Sequence, residues 1–94
     1  MDPIVERQRE ALRALAQRHG VRSLKLFGSM ARGDATSDSD VDLLIDPLPG
    51  TSALAIGAFL METQELLGRK VDVVSVRALH PLLRERILQE AIPL

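Results

Sequence analysis

Apolar positions in the first twenty residues recur at helical spacing, with Ile4, Ala11, Leu12, Leu15 and Ala16 on one face. Asp2 is placed to cap this helix, Pro3 to open it and Gly20 to end it. The short apolar run Leu24-Lys25-Leu26-Phe27 then predicts a strand, stopped by Gly28-Ser29. Met30-Ala31-Arg32 can form one helical turn before a polar loop from Gly33 to Ser39. Val41 to Ile45 predicts a second strand, and Pro47-Leu48-Pro49-Gly50 a turn. Ser52 can cap a helix carrying Leu54, Ile56, Phe59, Leu60, Leu66 and Leu67, closed by Gly68. Lys70 to Val76 predicts the third strand. Pro81 opens a last helix with Leu82, Leu83, Ile87, Leu88 and Ala91, ahead of the ending Ile92-Pro93-Leu94. The leucines of this helix are expected in the core, and the apolar ending is expected on the surface as a docking patch.

This alternation predicts an α/β domain: a small mixed sheet of about three strands covered by helices, with residues 1–94 as one domain. Composition agrees, since 46% apolar residues and a net charge of −1 suit an ordinary globular unit. No apolar run approaches a membrane span and the first twenty residues are too charged for a signal peptide, so a cytoplasmic location is expected. The chain has no cysteine, which excludes disulfides, a thiolate nucleophile and a Cys-type zinc site.

Charge placement is more informative than net charge. Residues 34–68 hold the seven acids Asp34, Asp38, Asp40, Asp42, Asp46, Glu62 and Glu65 and no Lys or Arg, so their counter-charges must come from the flanks or from a bound cation. Phe27 and Phe59 are the only aromatic residues, too few for base stacking, and direct nucleic-acid binding is not expected.

Two carboxylates inside an apolar strand need a physical reason. With a period of two, Asp40 and Asp42 share one face while Val41, Leu43 and Ile45 turn to the other. At about 6.5–7 Å along the strand their oxygens can come close, where bare charges repel unless a cation lies between them. A hard divalent ion, magnesium, suits carboxylate and phosphate oxygens together, which makes a nucleotide the natural third party. Gly28-Ser29 fits the same chemistry: a strand ending on Gly lets a phosphate approach the backbone, the Ser29 hydroxyl can donate to it, and Arg32 can offer charge one turn on. Asp72, a charge within the third strand, can join the acid pair from a neighbouring strand. Asp46 reads as a strand-end or turn residue, Asp34 and Asp38 as loop solvation, His19 as a helix C-terminal charge and His80 as the residue before Pro81, neither a ligand.

Gly28-Ser29, ten intervening residues and Asp40-Val41-Asp42, with a later strand acid, resemble the DNA polymerase β-type nucleotidyltransferase superfamily. The short chain, the Ala31-Arg32-Gly33 run, the Ser39-Asp40-Val41-Asp42-Leu43 context and the ending Ile87-Leu88-Gln89-Glu90-Ala91 resemble its minimal nucleotidyltransferases. The resemblance implies that Asp40 and Asp42 ligate two magnesium ions. It implies that Asp72 completes one metal shell and helps deprotonate an attacking hydroxyl, and that Gly28 and Ser29 hold the β- and γ-phosphates. It further implies AMP transfer from ATP to a partner protein, in the setting of an antitoxin paired with an all-helical HEPN-type toxin in a hetero-oligomer. Two other classes remain at this point: an antitoxin that acts by occlusion alone, and a small-molecule transferase, for which no acceptor domain is present.

Overall fold

The structure, a computed structural model, describes residues 1–94. The elements run α1 (Pro3–Arg7), α2 (Arg9–Arg18), β1 (Val21–Phe27), α3 (Ser29–Arg32), β2 (Val41–Pro47), α4 (Ala53–Leu67), β3 (Val71–Ser75), α5 (Pro81–Glu90) and β4 (Ile92–Pro93), with a 3-10 turn at Val76–Ala78. The sheet has four strands in the order β3-β2-β1-β4. β1 is antiparallel to both β2 and β4, and β2 is parallel to β3 through the crossover helix α4.

Local chemistry accounts for the ends of most elements. Asp2 Oδ1 accepts from the Ile4 N–H at 2.9 Å and Ser52 Oγ from the Ala55 N–H at 3.1 Å, capping α1 and α4 as expected. The predicted first helix is interrupted at Gln8, whose N–H bonds the Val5 carbonyl at 3.2 Å; both halves still bury their apolar face through Val5, Leu12 and Ala16. β1 starts three residues earlier than the apolar run suggested, because Val21 pairs with Pro47 across an irregularity between Val21 and Ser23.

One face of the sheet carries Val21, Leu24, Leu26, Val41, Leu43, Ile45 and Val71 into a single core with Leu12, Ala16, Met30, Phe59 and Leu67. Burying these side chains against α2 and α4 is the main source of stability. Thr63 Oγ1 is enclosed in the same interior without a hydrogen-bond partner.

Two expectations are corrected here. The ending Ile92-Pro93-Leu94 is not a free patch: β4 pairs with β1 as a fourth strand, the Leu94 N–H donates to the Leu24 carbonyl at 2.9 Å, and Leu94 is only 9% exposed. Arg9 reinforces it, donating to the Pro93 carbonyl at 2.8 Å and the Leu94 carbonyl at 3.3 Å. The last helix, conversely, is not core: α5 buries no residue and Leu82 is 85% exposed. On α4, Phe59, Thr63 and Leu67 are the buried residues, and Leu54 is 87% exposed. No helix is long and apolar enough to cross a membrane.

Candidate active site

The centre of the acidic segment finds most of its counter-charges in the flanks. Glu62 meets His19 and Arg18, Asp46 meets Arg22 at 3.0 Å, Asp34 meets Arg32 at 3.3 Å, and Asp40 meets Lys70 at 3.6 Å. Asp42 and Asp72 take part in none of the ion pairs. They stand directly opposite one another, because the parallel register of β2 and β3 pairs Asp42 with Asp72 on strands about 4.8 Å apart. Asp40 lies just before β2, where the Val41 N–H bonds the Lys70 carbonyl at 3.0 Å and so ties the start of β2 to the start of β3.

On its other side Asp42 pairs with Phe27, the last residue of β1, which sets it against the Gly28 turn. Gly28 has φ +75° and ψ −158°, a region open essentially to glycine alone. A Cβ there would also overlap Asp42 Oδ2 and lie 3.1 Å from its Cγ, so the missing side chain makes room for the carboxylate. From this turn α3 begins at Ser29, with the Ala31 and Arg32 N–H groups both bonded to the Gly28 carbonyl at 3.1 Å. Met30, fully buried, anchors the turn in the core.

The electrostatics of Asp42 follow from this crowding. Burial lifts its carboxyl above the ordinary value of 3.8, and Asp72, Asp40 and Glu90 lift it further, against the opposing charge of Arg32. A half-buried carboxylate with three acidic neighbours and no ion pair is a site whose charge a hard cation would relieve. The three aspartates therefore suit magnesium in donor chemistry, although they are not gathered into a ready-made cage: no group of three acid or His side chains is close enough to hold an ion. Asp40 leans to Lys70.

Arg32, expected to face phosphate, is engaged within the chain. Its guanidinium bonds Glu90 of α5 and Asp34 of the following loop, and both carboxylates, Glu90 the more strongly, push its pKa further up. Arg69 donates to the Ser39 carbonyl at 3.1 Å and the Thr36 carbonyl at 3.3 Å, fixing the loop that leads into Asp40. His19 closes α2 against Glu62, and His80 Nδ1 accepts from the Leu82 N–H at 3.1 Å to cap α5. Asp38 is exposed.

An open cavity of about 360 Å³ adjoins Asp42. Gly28, Ser29 and Arg32 line one side, and α5 lines the other with Arg86 and Glu90. Arg86 was not singled out from the sequence, and Glu90 entered only within the ending Ile87-Leu88-Gln89-Glu90-Ala91, with no role of its own. The signal available was an Arg and a Glu four apart on one helix face, which reads by itself as a solvated pair.

The match with known proteins covers the whole of this arrangement. Residues 6–94 match the model of the nucleotidyltransferase domain family. The protein adenylyltransferase MntA of Thermococcus cleftensis is 37% identical over 78 residues, 83% of this chain and 79% of its own. A solved structure assigned as a minimal nucleotidyltransferase superposes with a TM-score of 0.90 at 45% identity, covering 100% of this chain and 97% of that one. A toxin-antitoxin structure with AMP-PNP shares the fold, with a TM-score of 0.76 at 19% identity over 89% of this chain and 69% of that one. A four-stranded mixed sheet with paired acids beside a Gly-Ser turn, matched along nearly its full length, belongs to the nucleotidyltransferase domain family, and this chain is one of its minimal nucleotidyltransferases.

Proposed function

We propose that residues 1–94 act as one magnesium-dependent transferase domain that moves AMP from ATP to a hydroxyl of a partner protein, in the cytoplasm. The observation that carries this reading is the register of Asp42 against Asp72 beside the Gly28 turn, two acids in no ion pair, with Asp42 lining an open cavity. The protein acceptor is supported by the relative named a protein adenylyltransferase, and a toxin partner by the toxin-antitoxin structure that shares the fold. The toxin is taken to be an all-helical HEPN-type protein, so that the working unit is a hetero-oligomer.

Asp40, Asp42 and Asp72 would hold two magnesium ions. When bound, these supply positive charge to the phosphate oxygens and to the attacking and departing oxygens. The Gly28 backbone and the Ser29 hydroxyl donate to the β- and γ-phosphates, with Arg32 adding charge at the mouth of the cavity. Asp72 accepts the proton of the acceptor hydroxyl as its oxygen attacks the α-phosphorus in line. The bond from the α-phosphorus to the bridging oxygen breaks, and pyrophosphate leaves.

The test is transfer of α-phosphate-labelled ATP, with magnesium, to the product of the adjacent gene, comparing this chain with its Asp40→Asn/Asp42→Asn double variant. The reading expects label on the partner with the natural chain and none with the variant. A partner that stays unlabelled yet is silenced in a stable complex overturns it in favour of occlusion.

A further inference from the structure

Two guanidinium groups border the cavity beside Asp42, and they are in opposite states. Arg32 is committed: Glu90 and Asp34 both accept from it. Arg86, on the α5 wall, takes part in no ion pair. The nearest carboxylate along its own helix face is Glu90, four residues on, which ordinarily would pair with it. Here that carboxylate has crossed to Arg32, leaving Arg86 the uncommitted cation of the cavity.

The position of α5 makes this more than a solvated surface charge. The helix buries no residue, so core packing does not decide where it lies. It is held by the Arg32–Glu90 bond at its last turn and by β4 immediately after it. That bond brings the face bearing Leu83, Arg86 and Ile87 up to Gly28 and Ser29, where a polyphosphate would lie.

We infer that Arg86 grips the phosphate tail of the nucleotide, and that Arg32 and Glu90 form the strut that positions α5, and with it Arg86, over the cavity. This rests on the nucleotidyl-transfer reading above. A guanidinium fork suits two phosphate oxygens at once, and its hydrogen bonds are charge-assisted. Because the tail becomes the leaving pyrophosphate, the same contact would stabilise the departing charge. Arg86 acts by direct contact, whereas Glu90 is a positioning residue that acts through the helix.

The experiment is equilibrium binding of ATP and of AMP, with magnesium, to the full chain carrying Arg86→Ala, Arg86→Lys, Glu90→Gln, Arg86→Ala/Glu90→Gln, or Arg84→Ala as a control outside the cavity lining. The expected result is an ATP dissociation constant raised about tenfold or more by Arg86→Ala, the loss of one charge-assisted hydrogen bond. AMP binding and the melting temperature are expected to be unchanged, with partial recovery in Arg86→Lys and no effect of Arg84→Ala. Glu90→Gln is expected to weaken ATP binding in the natural background and to add nothing once Arg86 is removed, a non-additivity that general loosening would not produce. If the natural chain binds ATP and Arg86→Ala binds it equally well, or weakens ATP and AMP alike, the assignment of Arg86 is overturned and the functional reading stands. If the natural chain binds no nucleoside triphosphate, both are overturned.

Discussion

Replacing Gly28 by Ala disturbs the site in two separable ways. The backbone at φ +75° and ψ −158° is strained for any residue with a Cβ, at a cost of about 1–3 kcal/mol. The added methyl also overlaps Asp42 Oδ2, so the carboxylate must leave its rotamer, which adds roughly 0.5–1.5 kcal/mol. Together these give about 1.5–4.5 kcal/mol, and at about 4–8 °C per kcal/mol for a domain of this size the midpoint should fall by roughly 6–36 °C. Thermal unfolding followed by circular dichroism measures it. The same substitution in an Asp42→Ala background separates the parts, because Ala keeps only the Cβ, which lies 3.4 Å from the position of the new methyl. There the backbone cost should persist and the steric cost vanish, leaving a coupling of about 1 kcal/mol. A Gly28→Ala protein that melts within about 2 °C of the natural one refutes the backbone argument. An equal loss in both backgrounds refutes the steric one.

Asp42→Asn should raise stability at neutral pH and do nothing below about pH 3, as read from melts across the range. The sign follows from the folded carboxyl being lifted above 3.8: the unfolded chain ionises first as pH rises, the folded state holds its proton longer, and folding stability falls through that window. Millimolar magnesium should raise the melting temperature of the natural chain and leave that of Asp40→Asn/Asp42→Asn unmoved; equal shifts in both would place the ion elsewhere. Thr63→Val should stabilise by about 1 kcal/mol, measured by urea unfolding, because it replaces an enclosed hydroxyl that has no partner with a methyl of the same shape; a loss of stability would mean that the hydroxyl is satisfied in solution.

Where each decisive signal was local, the sequence carried it. Asp2 and Ser52 cap the helices that their positions suggest, and the alternation around Asp42 assigns its face correctly. Asp72 was visible as a charge out of place, but only the parallel register supplies its neighbour, and register is a property of two strands. The roles of Leu94 and α5 were exchanged for the same reason. Both are apolar, and burial depends on which one finds a sheet edge: Leu94 completes hydrogen bonds to β1, while α5 has no core left to cover. Of the two carboxylates that hold Arg32, Asp34 is two residues on, but Glu90 lies 58 residues away, beyond any pattern along the chain.

The cavity is assembled from parts with unequal tenure. Asp42 sits on β2 between β1, which ends at Phe27 beside Gly28, and β3, which carries Asp72, so this side can come apart only when the sheet does, at the global transition. The α5 wall is attached by one ion pair and by the short strand that follows, with nothing buried between. Its amides should exchange with solvent by a local opening far cheaper than unfolding, starting from the His80 end. An opening of α5 would thus uncover the cavity without loosening the acids on β2 and β3.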